Sequence, residues 1–120
     1  MYNYKRLLFF QKADVVSDWV HEVAKGFPKF ETYELGSQMR RAADSVILNI
    51  AEGGGKKSVA EMCTYLRHAL GSVKELEVQV GKVDKLGYLK DREGGKVLKE
   101  LDIIGKMLNG FMRKLREKGD

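Results

Sequence analysis

Apolar residues recur along the whole chain at helical spacing, and no stretch alternates as a strand would. In one run Met62, Leu66, Ala69, Val73, Leu76, Val80 and Val83 stand alternately four and three apart. In a later run Val97, Leu101, Ile104, Leu108, Phe111 and Leu115 do the same. A sustained period of 3.5 residues keeps one apolar seam facing a neighbour and implies shallow left-handed crossings of ~20°. Earlier in the chain Ala13, Val16, Val20, Val23 and Phe27, with Trp19 adjoining, form a third stripe. Leu35, Met39, Ala42, Ala43, Val46, Ile47 and Ile50 fill two adjoining stripes, a pattern that calls for burial from two sides.

Punctuation between these runs sets expected boundaries. Gly26 and Pro28 close a first helix over about 9–25. Thr32 reads as the N-cap of a second over about 33–52, which stops at Gly53-Gly54-Gly55. Ser58 and Glu61 form a capping box that opens a third over about 59–86, and a fourth over about 92–117 opens at Asp91. The joins are short, which favours antiparallel neighbours. The expected fold is all-α, an antiparallel up-down-up-down four-helix bundle, with residues 1–120 as a single domain.

A second set of small or apolar positions lies off the seams: Thr64, Gly71 and Val78 on the third helix, Ile103, Met107 and Gly110 on the fourth. Glycine inside an exposed helix costs ~1 kcal/mol relative to alanine. Gly71, Gly81, Gly105 and Gly110 therefore imply close approach by another helix, and the off-seam residues become a candidate oligomer interface. The alternative is a monomer with apolar residues scattered over its surface, which are common.

Composition narrows the function. A hydrophobic content of 43% with 32% charged residues excludes a disordered chain. The longest apolar runs, Leu7 to Phe10 and Val46 to Leu48, fall far below a membrane span, and the N-terminus lacks the features of a secretory signal. A lone cysteine, Cys63, forms no internal disulfide and sets a reducing cytoplasm as the expected location.

The net charge of +5 is weighted toward the C-terminal helix, where Arg113, Lys114 and Arg116 lie. Such residues either complement the helix dipole or meet phosphate. Lys56 and Lys57 follow the glycines and precede a helix N-terminus, a place where amides and dipole favour an anion. The G-x-x-x-x-G-K-[ST] spacing of a nucleotide-binding loop is missing. Arg40 and Arg41 are adjacent, so they point ~100° apart and do not form one fork. One of them is expected to pair with Glu75 or Glu77.

Nothing points to catalysis, a metal or a cofactor. Asp14, Asp18 and His21 share a helix face, but facing helices lack the Glu-x-x-His set of a di-metal bundle. Cys63 reads as a buried inert thiol and His68 as a surface or interface residue. Asn49 and Glu52 read as polar groups that satisfy backbone or neighbouring chains.

Several blocks together carry a family resemblance. They are Tyr4-Lys5, Gln11-Lys12-Ala13, the stretch SQMRRAADSVILNIAEG from Ser37 to Gly53, and Leu66-Arg67-His68-Ala69-Leu70-Gly71-Ser72. Glu75-Leu76-Glu77, Leu86-Gly87-Tyr88-Leu89 and Ile104-Gly105-Lys106-Met107-Leu108-Asn109-Gly110 complete them. In order and spacing the chain resembles the four-helix-bundle proteins encoded in 23S rRNA intervening sequences. These are similar in turn to accessory proteins of diversity-generating retroelements.

The resemblance implies a ring-like homo-oligomer, a homopentamer, and retroelement relatives that bind a reverse transcriptase and nucleic acid through a basic surface. Asp44 departs from the less acidic residue often found there and weakens any basic surface around Arg40 and Arg41. The expected function is a non-enzymatic basic scaffold that binds RNA or DNA through Arg40, Arg41, Lys56, Lys57, Arg113, Lys114 and Arg116. The alternative is a protein-interaction scaffold, for a partner such as a reverse transcriptase, without direct nucleic-acid binding.

Overall fold

The computed structural model describes residues 2–119; Met1 and Asp120 lie outside that description. Among the described residues there are four long helices and no strand. We number them α1 (Leu8–Ala24), α2 (Ser37–Gly54), α3 (Val59–Lys85) and α4 (Glu93–Lys118). A 3-10 turn, Tyr4–Arg6, precedes α1. Around the molecule α1 packs on α2, α2 on α3, α3 on α4, and α4 back on α1, so the four apolar stripes close over one shared core.

Every seam residue named for α3 is buried, from Met62 to Val83. On α4 the seam turns near its end. Met112 takes the buried place expected of Phe111, while Phe111 sits half-buried, edge-on to the rings of Phe9 at 5.2 Å and Tyr2 at 5.3 Å. Adjacent helix positions diverge by ~100°, so aromatic packing from the N-terminal segment is enough to exchange the two.

Two helix starts differ from the punctuation. Thr32 is not an N-cap. Winding begins three residues earlier, after Pro28, with a single turn Lys29–Glu31 and a π-helical stretch Thr32–Gly36 that run into α2. The Thr32 hydroxyl donates backward to the Pro28 carbonyl at 3.3 Å, the use a hydroxyl finds inside a helix rather than at its cap.

Asp91 does not open α4 either. Arg92 occupies the cap in the left-handed region (φ 63°), and the Glu93 carboxylate accepts from the Lys90 amide at 3.3 Å. The end of α3 follows the Schellman pattern: Gly87 at φ 81° lets its own amide reach Asp84 O at 3.0 Å and the Tyr88 amide reach Val83 O at 3.1 Å. Tyr88 then donates to Glu31 at 3.1 Å; partial desolvation, helped by that carboxylate's hydrogen bond and charge, raises the phenol's pKa.

The glycines separate into two groups. Gly105 is buried beneath α3, where a Cβ would meet Leu70 Cδ1 at 3.5 Å, so contact within the chain accounts for it. Gly71 and Gly81 face open space, and a Cβ on either meets nothing within 4 Å. No helix is long and apolar enough to cross a membrane among the described residues.

Candidate functional site

The candidate cationic residues divide between two regions of the molecule. Lys56 and Lys57 lie in the turn from α2 to α3, which the N-terminal segment covers: the Tyr2 amide donates to Gly54 O at 2.8 Å, and Gly54 packs on Tyr4. Tyr2 also touches Phe111, which brings the end of α4 to the same place. Arg116 shares a groove with Val59, Thr64 and Arg67 at the start of α3, while Arg113 and Lys114 line a second groove with Arg6 and Leu8. One end of the fold thus collects Lys56, Lys57, Arg67, Arg113, Lys114, Arg116 and Arg6.

The sequence reading missed Arg67 and Arg6 as members of this group. Each looks unremarkable on its own segment and joins the cluster only because the start of α3 meets the end of α4 and the entry to α1 meets both.

Arg40 and Arg41 lie outside this cluster. They stand over three turns before Gly54, ~20 Å along the α2 axis. Arg40 is half-buried and donates to the Thr32 carbonyl at 3.5 Å, where it spans the π-helical stretch. Arg41 is exposed and borders a small polar groove with Gln38, Ser45 and Glu75, yet no ion pair joins it to Glu75 or Glu77 among the described residues. Glu77 instead pairs with Lys74 at 3.2 Å.

Asp44 points the other way, toward α1, and accepts from Ser17 Oγ at 3.0 Å and lies 2.8 Å from His21 Nε2. That geometry gives His21 a use other than metal ligation, and no cluster suited to a metal exists among the described residues.

The glycine-lysine turn is not the loose loop its composition suggests. Gly53 and Gly54 are buried, helical residues. A Cβ on Gly53 would come within 3.1 Å of Tyr65 Cβ and 3.2 Å of Met62 O, so the absence of a side chain sets how closely α2 and α3 meet. Ser58 caps α3 as expected, accepting from the Glu61 amide at 3.1 Å. Lys56 is partly occupied: its ammonium lies 3.4 Å from Glu52 and 5.1 Å from the centre of the Tyr65 ring. Lys57 is exposed. Asn49 donates to its own helix at Ser45 O, 2.8 Å away, and Ser72 reaches Ser45 Oγ at 2.8 Å across the α2–α3 contact.

The off-seam residues also separate. Thr64, Gly71 and Val78 form an exposed line along α3, with Val78 75% exposed. On α4, Ile103, Met107 and Gly110 are half-buried, and Met107 and Gly110 belong to the groove that holds Arg113 and Lys114.

A family model described as 23S rRNA-intervening sequence protein matches residues 5–110, nearly the whole described fold. The chain belongs to the 23S rRNA-intervening sequence protein family. The matched span runs from the 3-10 turn before α1 to Gly110, so it takes in α1, α2, α3 and most of α4. Of the cationic end, Arg6, Lys56, Lys57 and Arg67 fall inside the family span, while Arg113, Lys114 and Arg116 lie beyond it. No curated protein matches the chain at a significant level.

Proposed function

We propose that this member of the 23S rRNA-intervening sequence protein family is a non-enzymatic scaffold that binds structured RNA through the end of the fold where Lys56, Lys57, Arg67 and Arg116 gather. The observation that carries this reading is the convergence of cations from three separate segments on one end, with Glu52 and Glu61 as the nearest carboxylates in sequence on the α2–α3 turn. Cations clustered in this way gain affinity by releasing counterions from phosphate, with little preference for sequence. The rings at this end make their contacts within the fold: Lys56 lies over Tyr65, Tyr2 is edge-on with Phe111, and Tyr4 is edge-on with Phe10. Base stacking is therefore a minor contribution, and a backbone-rich folded RNA suits the surface better than a flexible single strand.

The test is an anisotropy titration of labelled structured RNA at several salt concentrations. Affinity should fall steeply with salt, and Lys56→Ala with Lys57→Ala should reduce the slope of log K against log salt by about 2. Absence of binding at low salt, or a double mutant with unchanged slope, would end this reading.

The proposal includes assembly. In an up-down-up-down arrangement with all four helices satisfied internally, the exposed Thr64–Gly71–Val78 line on α3, with exposed Leu48 on α2, supports self-association into a ring, which would multiply the cationic end. Gly71→Leu tests it. Open space around that position lets the protomer accept leucine, so helicity should persist while light scattering reports a lower mass. An unchanged mass removes Gly71 from the interface.

A further inference from the structure

The groove between the start of α1 and the end of α4 has a chemistry that phosphate does not satisfy. It encloses about 470 Å³. Leu7, Leu8, Phe9, Met107 and Phe111 give it an apolar lining, of which Leu8 is 54% exposed and Met107 and Phe111 are half-buried. Arg6, Arg113 and Lys114 stand on its margins, and no carboxylate lines it. Gly110 leaves its centre open: a Cβ there would meet only Arg113 Nη2, at 3.9 Å.

An occupant must therefore bring apolar surface for the lining and negative charge for the margins. A nucleic-acid backbone offers only the second. Stacked bases find no free ring, because Phe111 already has Phe9 and Tyr2 edge-on to it. A second copy of this chain offers its exposed apolar residues scattered, Val15 on α1, Leu48 on α2 and Val78 on α3, and among the described residues no one helix presents three of them about one turn apart.

We infer that this groove is a docking site for an acidic amphipathic helix of a partner protein. The helix lays apolar residues about one turn apart on Leu8, Met107 and Phe111, and its carboxylates pair with Arg6, Arg113 and Lys114. Two helices flanking an apolar trough make the usual receptor for such a segment, and the charged margin sets which partners are admitted. The inference goes beyond the RNA-binding reading and does not depend on it, since Lys56 and Lys57 lie outside the groove.

The probe is a labelled synthetic helix of about five turns, with leucines at i, i+4 and i+7 and glutamates flanking them. A scrambled peptide of the same composition, lacking an apolar face, is its comparator. Anisotropy should show the patterned helix binding the intact protein and the scrambled one binding at least tenfold more weakly. Gly110→Leu fills the centre of the groove without crowding the backbone, and should weaken the patterned helix tenfold or more. The pair Arg113→Glu and Lys114→Glu should do likewise.

The inference is overturned if wild-type protein does not bind the patterned helix, if the scrambled peptide binds equally, or if Gly110→Leu leaves affinity unchanged. It is also overturned if Gly110→Leu lowers the mass of the protein alone, which would give the groove to a second copy. Loss of RNA affinity in Gly110→Leu equal to that in the Lys56 and Lys57 double mutant would give it to nucleic acid instead. An RNA titration that fails with wild-type protein leaves the peptide result standing, so the two readings fail separately.

Discussion

Replacing Leu76 with alanine is expected to lower the unfolding free energy by about 2–5 kcal/mol, toward the upper part of that range. Leu76 is 1% exposed and meets Ala13 and Val16 of α1, Ala43 and Val46 of α2, and Leu101 and Ile104 of α4 around one point in the core. Small side chains on α1 and α2 face large ones on α3 and α4 in this layer, so neither Ala13 nor Ala43 can extend into space that Leu76 vacates. Leu101 and Ile104 are themselves buried and held by the same layer. The cavity should therefore persist, and its cost adds to the lost transfer free energy.

Urea denaturation should show a lower midpoint with an unchanged m-value, and the melting temperature should fall by roughly 15–20 °C. No ionisable group borders this layer, so the loss should be the same at pH 6 and pH 8. A loss below about 1 kcal/mol would mean that the layer collapses around the smaller residue. Val78→Ala, on the exposed face of the same helix, should change protomer stability by no more than about 0.5 kcal/mol.

The core was legible because its period survives in the folded chain. The α3 seam and most of the α4 seam are residues that a 3.5-residue repeat selects without further information. The exchange of Phe111 for Met112 was not legible, since it depends on Phe9 and Tyr2 arriving from residues a hundred positions earlier. The caps at Thr32 and Asp91 were misread for a related reason. A hydroxyl or carboxylate before an apolar run has good capping chemistry, but Pro28 had already started the winding three residues before Thr32, and Arg92 accepted the left-handed position after Asp91.

The candidate site shows the same limit. Lys56, Lys57 and the basic end of α4 stand out in composition, whereas their meeting with Arg67 and Arg6 is a tertiary fact. Adjacent residues such as Arg40 and Arg41 are conspicuous in a sequence because they are neighbours in it, and a helix sends them to different surroundings.

Gly53→Val should be the most damaging single change at the candidate site. Gly53 lies in the last turn of α2, where the run of glycines suggests the helix stops, and it packs against the start of α3. A valine there would put its Cβ 3.1 Å from Tyr65 Cβ and 3.2 Å from the Met62 carbonyl, before its two methyl groups are placed. Neither opposing atom lies at the end of a flexible side chain, so no rotamer change relieves the contact and the two helices must separate. Overpacking of this kind costs about 1–3 kcal/mol, and the separation also shifts the turn that carries Lys56 and Lys57.

Gly55→Ala is the matched control. Gly55 has φ −84° and ψ −5°, which alanine adopts freely, and a Cβ there finds only Glu52 O at 3.6 Å. That change should leave stability unchanged or raise it by up to about 1 kcal/mol, since alanine restricts the unfolded chain. Denaturation measured on both variants separates a requirement for close helix approach from a requirement for turn flexibility. If Gly55→Ala proved the more harmful of the two, the glycines would be serving a mobile loop, and the close packing of α2 on α3 at Gly53 would not be what holds the lysines in place.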